Sequence, residues 1–254
     1  MKRLVLFIAA VVAVGVPATA HAQRETETVE RTVPFPADGT LHLKNFSGRI
    51  TITGGSGRDI VMKAWRTGRP ERLKETELRV TTEGRTVEID ANYRNDDTRR
   101  RDRDNERNNV VETRFELQVP AAARLVIEGF SSEVEVTGVE GSQRIKTFSG
   151  DIRTVSARGP LDVETFSGSI DVDATRQGAN PDLRLETFSG SMRLRVAEGA
   201  KGELQLDTFS GDLDSDIPLR MRSTSRRSLR AELPGGSGQT LRVKSFSGSL
   251  RLVR

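Results

Sequence analysis

Residues 161–172 read LDVETFSGSIDV, and this short unit sets the terms for the whole chain. Variants of it recur as LHLKNFSGRITI (41–52), LVIEGFSSEVEV (125–136), RIKTFSGDIRT (144–154), LRLETFSGSMRLRV (183–196), LQLDTFSGDLD (204–214) and LRVKSFSGSLRLV (241–253). The motif phenylalanines are Phe46, Phe130, Phe148, Phe166, Phe188, Phe209 and Phe246. They make up seven of the ten phenylalanines in the chain, so aromatic usage is largely given over to the repeat. Such recurrence signals stacked units, none of which can bury its apolar face alone.

Each unit alternates apolar and polar residues with period two, which reads as strand. The phase flips inside the unit. Leu161, Val163 and Thr165 share one parity, and Phe166, Gly168, Ile170 and Val172 share the other. A straight strand that slipped by one residue would turn every side chain to the opposite face. Each unit is therefore expected to be two strands joined by a bend within T-F-S-G. The glycine permits backbone angles that other residues resist, and the serine hydroxyl can bond local backbone.

The fold class expected is all-β: a repetitive β-solenoid or β-roll of stacked two-strand coils with FSG bends and an interior of Leu, Val, Ile and Phe. An antiparallel β-sandwich of hairpins is the alternative. Charge supports stacking in chain order. On the strand after the bend, Glu135, Arg153, Asp171, Arg193, Asp214 and Arg251 alternate in sign. On parallel in-register coils these would be neighbours, each opposite pair stabilising by roughly 0.2–1 kcal/mol. The strand before the bend is less regular: Glu128, Lys146, Glu164, Glu186, Asp207, Lys244. The phenylalanine spacings are 84, 18, 18, 22, 21 and 37. The 37-residue gap has room for a degenerate extra coil, with the last motif as an end coil.

Residues 1–22 read as a signal peptide. Lys2 and Arg3 form a positive start, Leu4–Val16 an apolar stretch, and Ala20-His21-Ala22 a small-x-small cleavage site. The apolar stretch is 13 residues, short of the ~20 that span a bilayer. No later stretch is apolar enough to span. Residues 23–254 are expected to form a single β-repeat domain. It has a lead-in β-region at 30–120 and a repeat array at 121–254 interrupted at 217–240. Glu83-Gly84 sits between two short strands and predicts a hairpin. Residues 94–109, RNDDTRRRDRDNERNN, hold no aliphatic or aromatic residue and read as a solvated loop. The interruption carries the basic run Arg220–Arg230, a cationic patch that reads as solvated surface.

The chemistry available is narrow. There is no cysteine, which excludes disulfides, a lipid-modified cysteine and Cys-His catalysis. The one histidine beyond residue 22 is His42, at an outward strand parity, so multi-histidine metal sites are excluded too. The FSG serines lie at repeated structural positions without a nucleophile-elbow pattern. Asp171 with Asp173, and Asp212 with Asp214 and Asp216, place acids two apart on one strand face. That spacing suits Ca²⁺ or carboxylate catalysis in principle, yet it matches no calcium-loop pattern. No catalytic, cofactor-binding or metal-binding residue is assigned. Without the first 22 residues the chain holds 38 basic and 36 acidic side chains, a net +2, with one Trp and one Tyr. Nucleic-acid binding has no footprint there.

At the FSG repeats the chain resembles the bacterial DUF4097 family, β-strand-repeat domains called putative adhesins. The resemblance rests on the repeated T-F-S-G-[DS]-[IL] units, the Val119-Pro120 step and the leading NFSGRITITG segment, and covers roughly residues 38–254. It implies an exported, repetitive β-fold with no catalytic residues to carry over. The expected function is that of a non-enzymatic adhesin or envelope scaffold. It would bind a glycan or protein through an extended surface, in the periplasm, at the cell surface or outside the cell. Two other readings stand beside it: a carbohydrate-active β-helical enzyme using acids such as Asp171 and Asp212, and an envelope stress-signalling component with a membrane partner.

Overall fold

The computed structural model describes residues 24–254 apart from 37, 95–109, 176–181, 198 and 237. The expected signal peptide and nearly all of the charged loop lie outside the described residues. The chain runs through β1 (Glu25–Pro34), β2 (Thr40–Gly55), β3 (Asp59–Gly68), a short helix α1 (Pro70–Glu75), β4 (Glu77–Glu83), β5 (Thr86–Tyr93), β6 (Glu112–Pro120) and β7 (Arg124–Thr137). The array continues with β8 (Gln143–Ser149), β9 (Ile152–Val155), β10 (Leu161–Ser167), β11 (Ile170–Ala174), β12 (Leu183–Ser189) and β13 (Met192–Val196). It ends with β14 (Gly202–Ser210), β15 (Leu213–Ser215), β16 (Arg220–Thr224), β17 (Ser228–Glu232), β18 (Gln239–Ser247) and β19 (Leu250–Val253).

Five of the FSG units are coils of two strands with a corner between them, while the units of Phe46 and Phe130 run through the corner as the single strands β2 and β7, which corrects the expectation of two strands in every unit. Leu161 and Val163 before the corner, and Ile170 and Val172 after it, are all buried. The phase flip is what keeps both strands facing inward. Successive coils pair in parallel and in register: Val163 lies beside Ile145 on one side and Leu185 on the other, and Val172 beside Thr154 and Leu194. The strands before the corner form one wall and those after it another, and the two walls belong to a single sheet, continuous through β2 and β7. The two walls enclose a core of aliphatic side chains joined by Phe35 and Phe115.

Chain order and stack order differ at both ends. β7 pairs with β2 along nearly its whole length, while β5 and β6 pair in parallel on the other side of β2. At the far end β12 pairs with β18, and β18 with β14; likewise β13 with β19, and β19 with β15. The rungs therefore follow the order Phe46, Phe130, Phe148, Phe166, Phe188, Phe246, Phe209. This corrects the expectation that the last motif is an end coil. The loop is long enough to return the chain to the edge of β12 before it closes, so the coil of Phe246 lies between those of Phe188 and Phe209.

Residues 217–240 form no extra coil. β16 and β17 are an antiparallel hairpin, and β17 pairs antiparallel with β14, covering the outer edge of the stack. The opposite end is closed in the same manner. β3 runs antiparallel to β6, β1 antiparallel to β3, and β4 antiparallel to β5 across the predicted hairpin. Gly84, at φ 59°, supplies the left-handed residue that this tight turn needs. Helix α1 leans on β3 through Arg66, whose buried guanidinium donates to the Thr76 carbonyl and hydroxyl oxygens, each at 2.8 Å, and pairs with Glu27.

Candidate functional site: an exposed phenylalanine ladder

The corner residues are T-F-S-G, and each has one job along the stack. Thr147, Thr165, Thr187 and Ser245 turn inward and are buried; the Thr147 hydroxyl donates to that of Thr165 at 3.0 Å. The serines pair in register from coil to coil. The glycine N–H reaches the serine carbonyl of the next coil, as in Gly150 to Ser167 at 3.1 Å. At Gly150 φ is 136°, and a Cβ there would overlap the Ser132 carbonyl oxygen. Glycine is required because two backbones meet at the corner.

The phenylalanines point outward. Parity places them with Ile170 and Val172 in the interior, but the corner breaks the alternation between Phe166 and Ile170. All seven are 42–52% exposed. Their rings stack face to face in rung order, with centroids 4.7–5.0 Å apart and planes within 13° of parallel. The ladder is roughly 29 Å long, six steps of the interstrand spacing. Its faces are consumed by the stack and its edges are bare. At one end the Phe46 N–H donates to the Asn92 side-chain oxygen at 3.1 Å. At the other the Arg227 guanidinium lies 4.3 Å from the Phe209 ring centroid, a cation–π cap.

Beside the ladder runs a charged row, two residues back in each coil. In stack order it reads Lys44, Glu128, Lys146, Glu164, Glu186, Lys244, Asp207. The row from Glu128 onward and the ladder from Phe148 to Phe209 line a shallow groove of ≈ 910 Å³ that also takes in Arg227 and Ser228. The Lys146 ammonium lies 2.6 Å from the Glu164 carboxylate and that of Lys244 3.3 Å from Glu186. Lys44 bonds Glu88 at 3.0 Å. That hydrogen bond, partly offset by burial, raises the Lys44 pKa and lowers that of Glu88. Read in chain order, these charges look like the less regular row.

The other row behaves in the opposite way. Its stack order is Glu135, Arg153, Asp171, Arg193, Arg251, Asp214, so Arg193 and Arg251 are like-charged neighbours. The alternation breaks where the last coil is inserted.

The acids weighed for catalysis or calcium do not converge. Asp171 sits between Arg153 and Arg193. Asp173 lies 3.4 Å from Arg195. Burial pushes the Asp173 pKa up, but hydrogen bonds from the Thr175 hydroxyl and N–H, with the Arg195 charge, outweigh it and hold it below the usual range. Asp214 and Asp216 flank Arg251 at 3.6 and 3.9 Å. Asp212 is exposed. Among the described residues no three His, Asp or Glu side chains gather as a metal site. His42 is half-buried, with Nε2 3.4 Å from the Glu128 carboxylate. No helix of the described residues is long and apolar enough to cross a membrane.

Comparison with known proteins agrees with this architecture. A putative cell adhesion protein from Clostridium sporogenes superposes with a TM-score of 0.52 at 13% identity, covering 91% of this chain and 99% of its own. A putative adhesin from Parabacteroides distasonis covers 91% of this chain and 97% of its own, at 10% identity and a TM-score of 0.36. One from Bacteroides fragilis covers 89% and 97%, at 10% identity and 0.32. No protein of curated function matches the sequence. The Toastrack DUF4097 model matches residues 23–252, nearly the whole chain, and the chain belongs to that family.

Proposed function

We propose that the chain is an exported, non-catalytic adhesion or scaffold module of the cell envelope. It binds a glycan or protein partner along the ladder and its charged row. One observation carries the reading: seven aromatic rings stand in a continuous line with their edges open to solvent. Stacking accounts for the ring faces but not for leaving the edges bare. Rings of about 200 Å² each, nearly half exposed, leave an apolar strip on the order of 600 Å², at the upper end of what ordinary monomers show. Similar structures named as adhesins support the same reading. Against catalysis, Asp173, Asp214 and Asp216 are held by arginines of neighbouring coils.

The test is binding of the purified protein to envelope extract and to a glycan panel, beside a variant carrying Phe148→Ser and Phe188→Ser. Saturable binding by the native protein, reduced at least tenfold in the variant, is expected. Release of reducing ends or unsaturated sugars, abolished by Asp171→Asn or Asp212→Asn, would replace this reading with the enzymatic one.

A further inference from the structure

We propose that the partner of the ladder face is a second copy of this chain, docked antiparallel about a two-fold axis at Phe166. The inference rests on the binding role just given and names its partner. Phe166 is the fourth of seven rungs, so an axis across the ladder there is the register that covers every ring. A two-fold of this kind makes the surface meet itself in reverse.

The charged row fits that operation. Lys44 of one copy falls opposite Asp207 of the other, Glu128 opposite Lys244, and Lys146 opposite Glu186. Each pair is opposite in sign and occurs twice. A strictly alternating row of seven would meet itself with like charges throughout. The adjacent acids Glu164 and Glu186 shift the phase and produce the match. Only Glu164 meets its own copy, and its charge is already balanced by Lys146 at 2.6 Å. Past the ladder ends, Arg227 comes toward the end that carries Asp90. On the far side of the corner, Arg49 falls opposite Asp212, and the exposed Glu133, Asp151, Ser169, Ser191 and Ser249 set no two like charges together. One row further out, Arg144 would face Arg184, which bounds the interface to a strip. The ladder and its two flanking rows come near the ~800 Å² per partner of a standard interface.

A glycan suits the ladder less well. Sugars stack on aromatic faces, and here the faces of every ring but the end ones are taken by neighbouring rings. Bare ring edges pack readily against other ring edges and faces.

Sedimentation velocity of the purified protein over a range of concentrations tests this. A concentration-dependent dimer is expected. Lys146→Glu alone, and Glu186→Lys alone, each weaken it about tenfold or more, and the double variant returns it to within about threefold of native. Within one chain these residues are two rungs apart with Glu164 between them, so the cycle is repeated with Glu164→Gln in every variant, where repair by the double variant reports contact between copies. Glu164→Gln, which removes the one like-charge pair within the row beside the ladder, tightens the dimer. Thermal melts of each variant establish that it is folded. A dimer indifferent to these changes overturns the proposal. So does a monomer at all concentrations. In that case loss of envelope binding by the Phe148→Ser, Phe188→Ser protein would leave the adhesion reading standing, and unchanged binding would remove both.

Discussion

Gly150 shows how much of the fold is decided by single residues at the corner. Its backbone lies against Ser132 of the neighbouring coil, with no space for a methyl group. Gly150→Ala should therefore lower stability by about 2 kcal/mol or more, read by urea unfolding. Gly84→Ala, at an open left-handed turn, should lower it by only about 1 kcal/mol. Phe166 makes two stacked contacts, each of about 0.5–1.5 kcal/mol, and no cavity opens when an exposed ring is removed. Phe166→Ala should cost about 1–3 kcal/mol, and a loss no larger than for an exposed Ser→Ala would show the stack to be energetically idle. The inward places of Leu161, Val163, Ile170 and Val172 were legible from alternation alone. The outward place of Phe166 was not, because parity counting assumes a continuous strand and the corner resets it.

Among elements, the hairpin β16–β17 and the antiparallel strands β1 and β3 serve as caps. A parallel stack ends in unpaired N–H and C=O groups that invite another chain. β17 covers β14 through the fully buried Ala231 and through Leu229. Ala231→Asp should loosen this cap and expose the edge. The expected outcome is concentration-dependent aggregation by light scattering while the circular dichroism of the remaining sheet persists. The basic run read as solvated surface is this cap, and Arg227 within it closes the ladder over Phe209. The strands of residues 217–240 were hidden in the sequence because polar, arginine-rich strands on an outer edge carry little apolar alternation. Helix α1 was hidden for a related reason. At six residues it is shorter than any window in which helical periodicity registers.

For the molecule as a whole, stack order is the property that sequence could not supply. Chain order is the simplest expectation for short connections, and it holds from Phe130 to Phe188. The 37-residue connection releases that constraint. The charge rows record the consequence. Asp171→Arg would add a cation between Arg153 and Arg193, with Arg251 on the next rung, so that four consecutive rungs carry arginine; it should cost about 1–2 kcal/mol. Arg193→Asp exchanges an attraction to Asp171 for one to Arg251 and should stay within about 0.5 kcal/mol of native. Acid sensitivity follows from carboxylates whose pKa is lowered in the fold, Glu88 and Asp173. Their stabilisation is complete above the ordinary carboxylate range and is lost as pH falls through their lowered values. Thermal stability should be flat near neutrality and decline below about pH 4, with part of that decline absent in Asp173→Asn.

The absence of native cysteine allows the rung order to be read chemically. Cysteine pairs placed at the exposed corner serines, Ser189 with Ser247, Ser247 with Ser210, and Ser189 with Ser210, can be oxidised in the folded protein. Adjacent rungs lie within disulfide reach, and rungs two apart, at roughly 9.6 Å, do not. Cross-links in the first two pairs and none in the third are predicted, scored by mobility on non-reducing gels. A cross-link between 189 and 210 with none between 189 and 247 would restore the stack to chain order and break the ladder apart as described.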